Sequence, residues 1–307
     1  MRRIPFTKAH GAKNDFVIVD DRARRLDDTC RREFAQRSAH RRTGIGSDGT
    51  IFIENSETCD FRMAFYNPDG SVGSMCGNGG RCAALYAFVR GIAPAEMRFT
   101  VLERIYTAHI LPDTSPPDAD ACRPDADACR MEQAHVRLSF PRPLEIELGL
   151  TLTTELGVIT AAYVDNGAPH LVIFTDDLPA SLHAAFDDLD MERVGALLRH
   201  HERFAPRGCN VNVLEPMSDD TIRIRTFEKG VEAETWACGT GTLAAGMIAQ
   251  HRLGAPPPVR LRTHGDDLLV VHFLPDSNVL PDAPEYYARD LALEGPAVLV
   301  FDGSYQF

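Results

Sequence analysis

Phe65–Leu85 reads FYNPDGSVGSMCGNGGRCAAL and Thr226–Gly246 reads TFEKGVEAETWACGTGTLAAG. The two segments follow one plan: a strand, a turn rich in acidic residues or asparagine, Cys-Gly-x-Gly, then an alanine-rich helix. Cys76 and Cys238 hold the same place in the two copies, 162 residues apart. A two-fold repeat at so long a period predicts two similar lobes, each presenting a cysteine at a helix start and facing the other across a cleft. A chain of 307 residues is long enough for both.

Working outward, short β-like runs recur at Phe16–Asp20, Thr50–Glu54, Phe61–Tyr66, His135–Phe140, Val158–Val164, Leu171–Thr175, Thr221–Phe227, Leu268–Leu274 and Ala297–Phe301. In TIRIRTF, Ile222 and Ile224 alternate with Arg223 and Arg225, which predicts a half-buried strand. Helical periodicity is found over about 28–42, 79–90, 189–201 and 241–253. Many strands and few helices, without β-α alternation, predict an α+β fold rather than a doubly wound parallel sheet. Between Pro112 and Arg130 the heptad PDADACR occurs twice in succession, and its composition predicts an exposed insertion at 112–130. A duplicated segment accounts for the spacing of Cys122 and Cys129 without a metal.

The net charge is -12, which repels phosphate backbones and anionic membrane surfaces, so neither nucleic acid nor a membrane is expected as a partner. The N-terminal arginines are followed by no apolar segment, and no apolar run approaches a membrane span, so a cytoplasmic protein is expected. Eight cysteines without a CxxC pair argue against a disulfide framework in that compartment. Cys30, Cys59, Cys82 and Cys209 read as packing residues.

Cys76-Gly77-Asn78-Gly79 and Cys238-Gly239-Thr240-Gly241 read as chemistry. Glycine lets a ligand approach the main chain, and the first N–H groups of a helix have no acceptor within it, so such a turn suits a carboxylate. The same helix terminus favours a thiolate over a thiol. Inverting an sp³ carbon by proton transfer needs a base on one face and an acid on the other. Two equivalent thiols supply both, and the glycine turns would stabilise charge gathering on the substrate carboxylate. The pattern therefore predicts a racemase or epimerase working on a small amino acid, with no metal and no cofactor.

The chain resembles the pyridoxal-independent diaminopimelate epimerases. The matching stretches are HGAKNDF (His10–Phe16), RRTGIGSDG (Arg41–Gly49), the Phe65–Cys82 motif, NGAPHLVIF (Asn166–Phe174), HERFAPRGCNVN (His201–Asn212), the Arg225–Thr242 motif and EGPAVLVFDG (Glu294–Gly303). The resemblance implies two pseudo-symmetric lobes, each a curved, barrel-like mixed sheet around a central helix. Residues 1–141 with 295–307 would form the N-terminal lobe carrying Cys76, and 142–294 the C-terminal lobe carrying Cys238. By position it also implies that Cys76 and Cys238 are the acid/base pair, and that Gly77, Asn78, Gly239 and Thr240 cradle the α-carboxylate. Asn14, Asn67, Asn210, Glu228 and Lys229 would bind substrate, while His170 and Glu228 would tune the thiols. A homodimer is implied, as is conversion of LL-diaminopimelate to the meso form for lysine and peptidoglycan synthesis.

Bland readings stand beside these. Asn14 and Asn67 also fit turn formers, His170 a core histidine, and Glu228 with Lys229 a solvated rim. Lys229 replaces an arginine usual in the family, which keeps the charge but loses the bidentate fork; Ala168 replaces a frequent asparagine. A cofactor-independent racemase of another amino acid, such as histidine, is the neighbouring alternative. A thiol-based metal-binding or redox protein using Cys76, Cys82 and Cys238 is the alternative from another class.

Overall fold

The computed structural model describes residues 2–112, 132–182, 185–276, 278–280, 283–287 and 289–307. Beyond Pro112, the expected insertion with Cys122 and Cys129 lies outside the described residues. The chain divides into two compact units, Met1–Ser139 with Gly295–Phe307, and Phe140–Glu294.

In the first unit the strands β1 (Arg3–Gly11), β2 (Asn14–Asp20), β3 (Gly49–Glu54), β4 (Phe61–Tyr66), β5 (Glu96–Val101), β6 (Arg104–Leu111) and β7 (Gln133–Ser139) neighbour one another in chain order. The last strand of the chain, β16 (Arg289–Gln306), follows β7 and also pairs with β1, Lys8 lying opposite Phe301, so eight strands close into a barrel. The sheet is mixed, with β2–β3 and β4–β5 parallel. Helix α1 (Asp28–Ala39) buries only Phe34, Ala35, Ser38 and Ala39 and lies against β3 and β4. Helix α2 (Gly77–Val89) is buried continuously from Gly77 to Ala87 and packs on β1, β2, β6 and β7. A helix buried all round belongs inside, and this one is the barrel's filling. Its small residues permit that fit: a Cβ on Gly79 would lie 3.3 Å from Ile51 Cδ1.

The second unit repeats the plan. Its strands are β8 (Glu145–Thr154), β9 (Gly157–Asp165), β10 (Pro169–Phe174), β11 (Asn210–Pro216), β12 (Thr221–Glu228), β13 (Ala233–Thr235), β14 (Val259–Thr263) and β15 (Leu268–Leu274). They order as β8-β9-β10-β11-β12-β14-β15, followed by the first residues of β16, with β13 beside β12. β10–β11 and β12–β14 are parallel. Helix α3 (Met191–Arg199) packs one face on β11, β12 and β13, while α4 (Gly239–Leu253) is buried from Gly241 to Ala249 against β10, β11, β14 and β15. The fold is α+β, each unit a curved mixed sheet around a central helix.

Three expectations are corrected. Both central helices begin two residues early, at Gly77 and Gly239, because helix-weakening glycines are tolerated in a first turn that has no i−4 partners to satisfy. Arg225 is buried rather than half-exposed, since its guanidinium is held by Glu234 of β13 and by the carbonyls of the Phe186–Leu189 turn. Cys30 and Cys59 are part-exposed, whereas Cys82 and Cys209 are buried as packing residues should be. Among the described residues no helix is long and apolar enough to cross a membrane.

Candidate active site

Helices α1 and α3 start on Asp27 and Asp190, whose carboxylates accept from Cys30 N at 2.8 Å and Arg193 N at 3.0 Å. Aspartate is a preferred N-cap. The two central helices instead start on Cys76 and Cys238, a residue type outside that preference. Helix stability alone does not select a cysteine there.

In the first unit, Gly79 N–H donates to Cys76 Sγ at 3.5 Å, and the thiol lies 3.8 Å from Asn14 Oδ1. Asn14 sits at the start of β2 and is gripped on both sides. Its Nδ2 donates to Asp48 Oδ2 at 2.7 Å, and its Oδ1 accepts from Asn78 Nδ2 at 3.3 Å. Asn78 in turn accepts from Arg81 Nη2 at 2.8 Å, and Arg81 is wholly buried one turn inside α2. Behind Asp48 lies Asp15, paired with Lys8 and Arg41 at 2.6 and 2.9 Å. Burial pushes the Asp15 carboxyl up, but Arg41 and Lys8 outweigh it and hold it at about 2. Burial, with the Asp15 charge adding to it, raises Asp48. Asn67 folds into its own turn, Nδ2 donating to Ser71 Oγ at 2.9 Å.

In the second unit, Cys238 Sγ lies 3.6 Å from Thr240 Oγ1, which lies 3.0 Å from His170 Nε2. His170 is fully buried on β10, and burial, outweighing the pull of Asp165, drops its imidazole to about 3. It is neutral at any physiological pH. Asn212 on β11 donates Nδ2 to Leu171 O at 2.9 Å and faces His170 Nδ1 at 3.3 Å, while its Oδ1 accepts from Thr226 Oγ1 at 3.0 Å. Asn166 donates to Thr240 O at 2.8 Å, fastening the helix start to the β9–β10 turn. Asn210 Oδ1 accepts from Lys229 N at 2.8 Å, and Glu228 accepts from Thr235 Oγ1 at 3.0 Å, so these three stand together where β11 meets β12. Burial, then the charges of Arg207 and Arg199, lowers Lys229 below an ordinary lysine.

The structure thus groups Cys76, Gly77, Asn78 and Asn14 in one unit, and Cys238, Gly239, Thr240 and His170 in the other. Asp48, Arg81, Asn166 and Asn212 were missed from sequence. The partners of Asp48, Asn166 and Asn212 lie tens of residues away, while Arg81 reaches Asn78 three residues back along its own helix. Among the described residues no group of three or more His, Cys, Asp or Glu is placed to hold a metal. Burial pushes the Cys82 thiol up.

Residues 6–113 and 162–279 match the family model described as diaminopimelate epimerase. The diaminopimelate epimerase of Chlorobaculum tepidum is 37% identical over 298 residues, covering 96% of this chain and 98% of that protein. That of Aquifex aeolicus is 32% identical over 307 residues, covering 97% and 96%. Among solved structures, a phenazine biosynthesis protein of the PhzF family from Bacillus anthracis superposes with a TM-score of 0.68 at 13% identity, covering all of both chains. A hydroxyproline epimerase from Agrobacterium vitis does so with 0.68 at 12%, covering 99% and 92%. At such identities the solved structures speak to the fold alone.

Proposed function

The chain belongs to the diaminopimelate epimerase family, and from that premise we propose that it converts LL-diaminopimelate to the meso form by moving one proton between Cys76 and Cys238. It is an isomerase of the amino acid epimerase kind. One sulfur, as thiolate, takes the α-proton; the other, as thiol, returns its own proton from the opposite face, so the carbon inverts and the enzyme gains nothing. The scheme calls on no metal and no pyridoxal group.

The observation that carries this reading is that both central helices begin on a cysteine where the outer helices begin on aspartate. The N–H groups of Gly77, Asn78, Gly239 and Thr240 would receive the α-carboxylate as it gains charge. Asn14 would hold the amino acid near Cys76. Asn67, Asn210, Glu228 and Lys229 would hold the distal end, which separates an epimerase of a two-centre substrate from a simple racemase. His170 and Glu228 would tune the thiols. Six described cysteines are free thiols, which suits a reducing cytoplasm; the family resemblance supports a homodimer.

The test is α-proton exchange in D₂O with LL-diaminopimelate, with histidine and other free amino acids as controls. Cys76→Ala and Cys238→Ala should each lose epimerisation by roughly 10²–10⁴-fold or more. Normal turnover by either variant refutes the two-thiol scheme; faster exchange on another amino acid replaces the substrate.

A further inference from the structure

Ala168 stands where the family often has an asparagine, so one amide is gone from the β9–β10 turn. Two residues earlier the same turn carries another. Asn166 is 7% exposed, and its Nδ2 donates to Thr240 O at 2.8 Å. A carbonyl oxygen only accepts, so the amide cannot be turned round and Oδ1 is the end left over. That oxygen is buried and has no hydrogen-bond partner among the described residues. An unpaired buried acceptor costs folding free energy, and a natural sequence that keeps one calls for a reason in function.

The rest of the turn is committed to structure. Asp165 accepts from Gly167 N at 2.9 Å through Oδ1 and from Arg207 through Oδ2, while Pro169 O accepts from Asn210 Nδ2 at 2.9 Å. These contacts mount Asn166 between the start of α4, reached through Thr240, and the corner where Asn210 meets Lys229. A Cβ on Gly167 would meet nothing within 4 Å, so open space lies against the turn. The corner is rich in donors. Lys229 lies within the fields of Arg207 and Arg199, all three side chains only donate, and Asn210 Oδ1 already accepts from Lys229 N. Such a corner attracts the distal carboxylate of diaminopimelate and repels the ammonium on the same carbon. That ammonium has three N–H groups to place, and Glu228, which already accepts from Thr235 Oγ1, cannot serve them all.

We propose that Asn166 is a further substrate-binding residue, whose Oδ1 accepts a hydrogen bond from the distal ammonium and so takes over from the amide absent at Ala168. The proposal rests on the diaminopimelate reading and deepens it. The carboxylate of the second stereocentre is met by cations, and its amine by a neutral oxygen that the fold leaves unused. Asn166 thereby helps distinguish a two-centre substrate from an amino acid whose far end bears a carboxylate alone.

The test compares LL-diaminopimelate with L-2-aminopimelate, the same skeleton with hydrogen in place of the distal amine. The KM of the first and the inhibition constant of the second are measured in the wild type and in Asn166→Leu. In the wild type the amine should strengthen binding about 10–100-fold, the worth of a hydrogen bond to a charged group. In Asn166→Leu that preference should shrink by about tenfold or more. The Nδ2 contact with Thr240 O is lost as well, but its loss falls on both ligands alike, so the ratio isolates the ammonium. Asn166→Ala gives the same reading should the leucine variant not fold. An unchanged preference in a folded variant overturns the proposal, as does a wild type that binds both compounds equally. Failure of the diaminopimelate reading would show separately, as a wild type that does not epimerise LL-diaminopimelate.

Discussion

Arg225 and Glu234 meet through a two-pronged contact in which guanidinium Nε and Nη2 each lie 2.7 Å from one carboxylate oxygen. The remaining nitrogen donates to Phe186 O at 2.7 Å and Leu189 O at 2.9 Å, so this buried arginine ties β12 to the turn before α3. The same strand ends on Glu228, and Lys229 follows it.

Removing one partner of such a pair strands the other charge. Glu234→Ala should therefore cost about 3–5 kcal/mol, read as a drop in the urea midpoint. Glu33→Ala, which breaks an exposed pair with Arg37 along α1, should cost under about 0.5 kcal/mol. Equal effects would mean that Arg225 is not clamped.

Gly241→Ala should damage the chain of contacts from Asn212 through His170 to Thr240. A Cβ there would sit 2.4 Å from Asn212 Oδ1, and the near neighbour is a side chain locked by Thr226, Leu171 and His170. Overpacking of this kind costs about 1–3 kcal/mol. Turnover should fall further than stability alone predicts, because displacing Asn212 frees the His170 tautomer; a variant that melts lower but turns over normally would contradict that.

Acid should unfold the protein along a slope set partly by His170. In the unfolded chain the imidazole protonates near 6.5, in the folded protein near 3. Between those values the unfolded state binds the extra proton, so stability is complete above about 6.5 and falls as pH drops toward 3. One such group changes the folding constant by up to about tenfold per pH unit. Asp15, held at about 2, adds a second loss as pH falls from 3.8. A folded His170→Gln should lose the upper part of this slope, measured by urea unfolding at pH 7, 6 and 5; an unchanged slope would show that the histidine does not report.

Lys229→Arg should lower KM for LL-diaminopimelate about 3–10-fold, with kcat nearly unchanged, since a fork recognises a carboxylate better than a point charge. The backbone N–H of residue 229 stays pinned by Asn210 Oδ1, so the substitution changes the head group and not its mounting. A raised KM would point to a different distal group.

Cys-Gly-x-Gly carried the central helices because glycine and cysteine at a helix start are local facts, complete within a few residues. Arg3–Gly11, Glu96–Val101 and Glu145–Thr154 did not announce themselves as strands. Their apolar residues are interrupted by charges or by Pro5, and pairing with remote neighbours decides their state. The hydrogen-bond networks at Asn14 and Asn212 were illegible for the same reason. Asn212 matters through His170, Leu171 and Thr226, and Asp48 through Asn14, contacts that only the closed sheets create. Arg225 was misjudged because alternation along a strand says nothing of a second layer arriving over it.

The 18-residue strand β16 serves both sheets in succession, Glu294 facing Val270 of β15 and Phe301 facing Lys8 of β1. The first barrel, whose other seven strands lie within residues 3–139, therefore lacks its eighth stave until the ribosome has also made the second unit and residues 295–306. Until then β1 and β7 carry unclosed edges, the kind that recruit stray chains. Truncation before Gly295 would thus injure the half of the protein made first, and nascent-chain aggregation rather than misfolding of the later half would be its symptom.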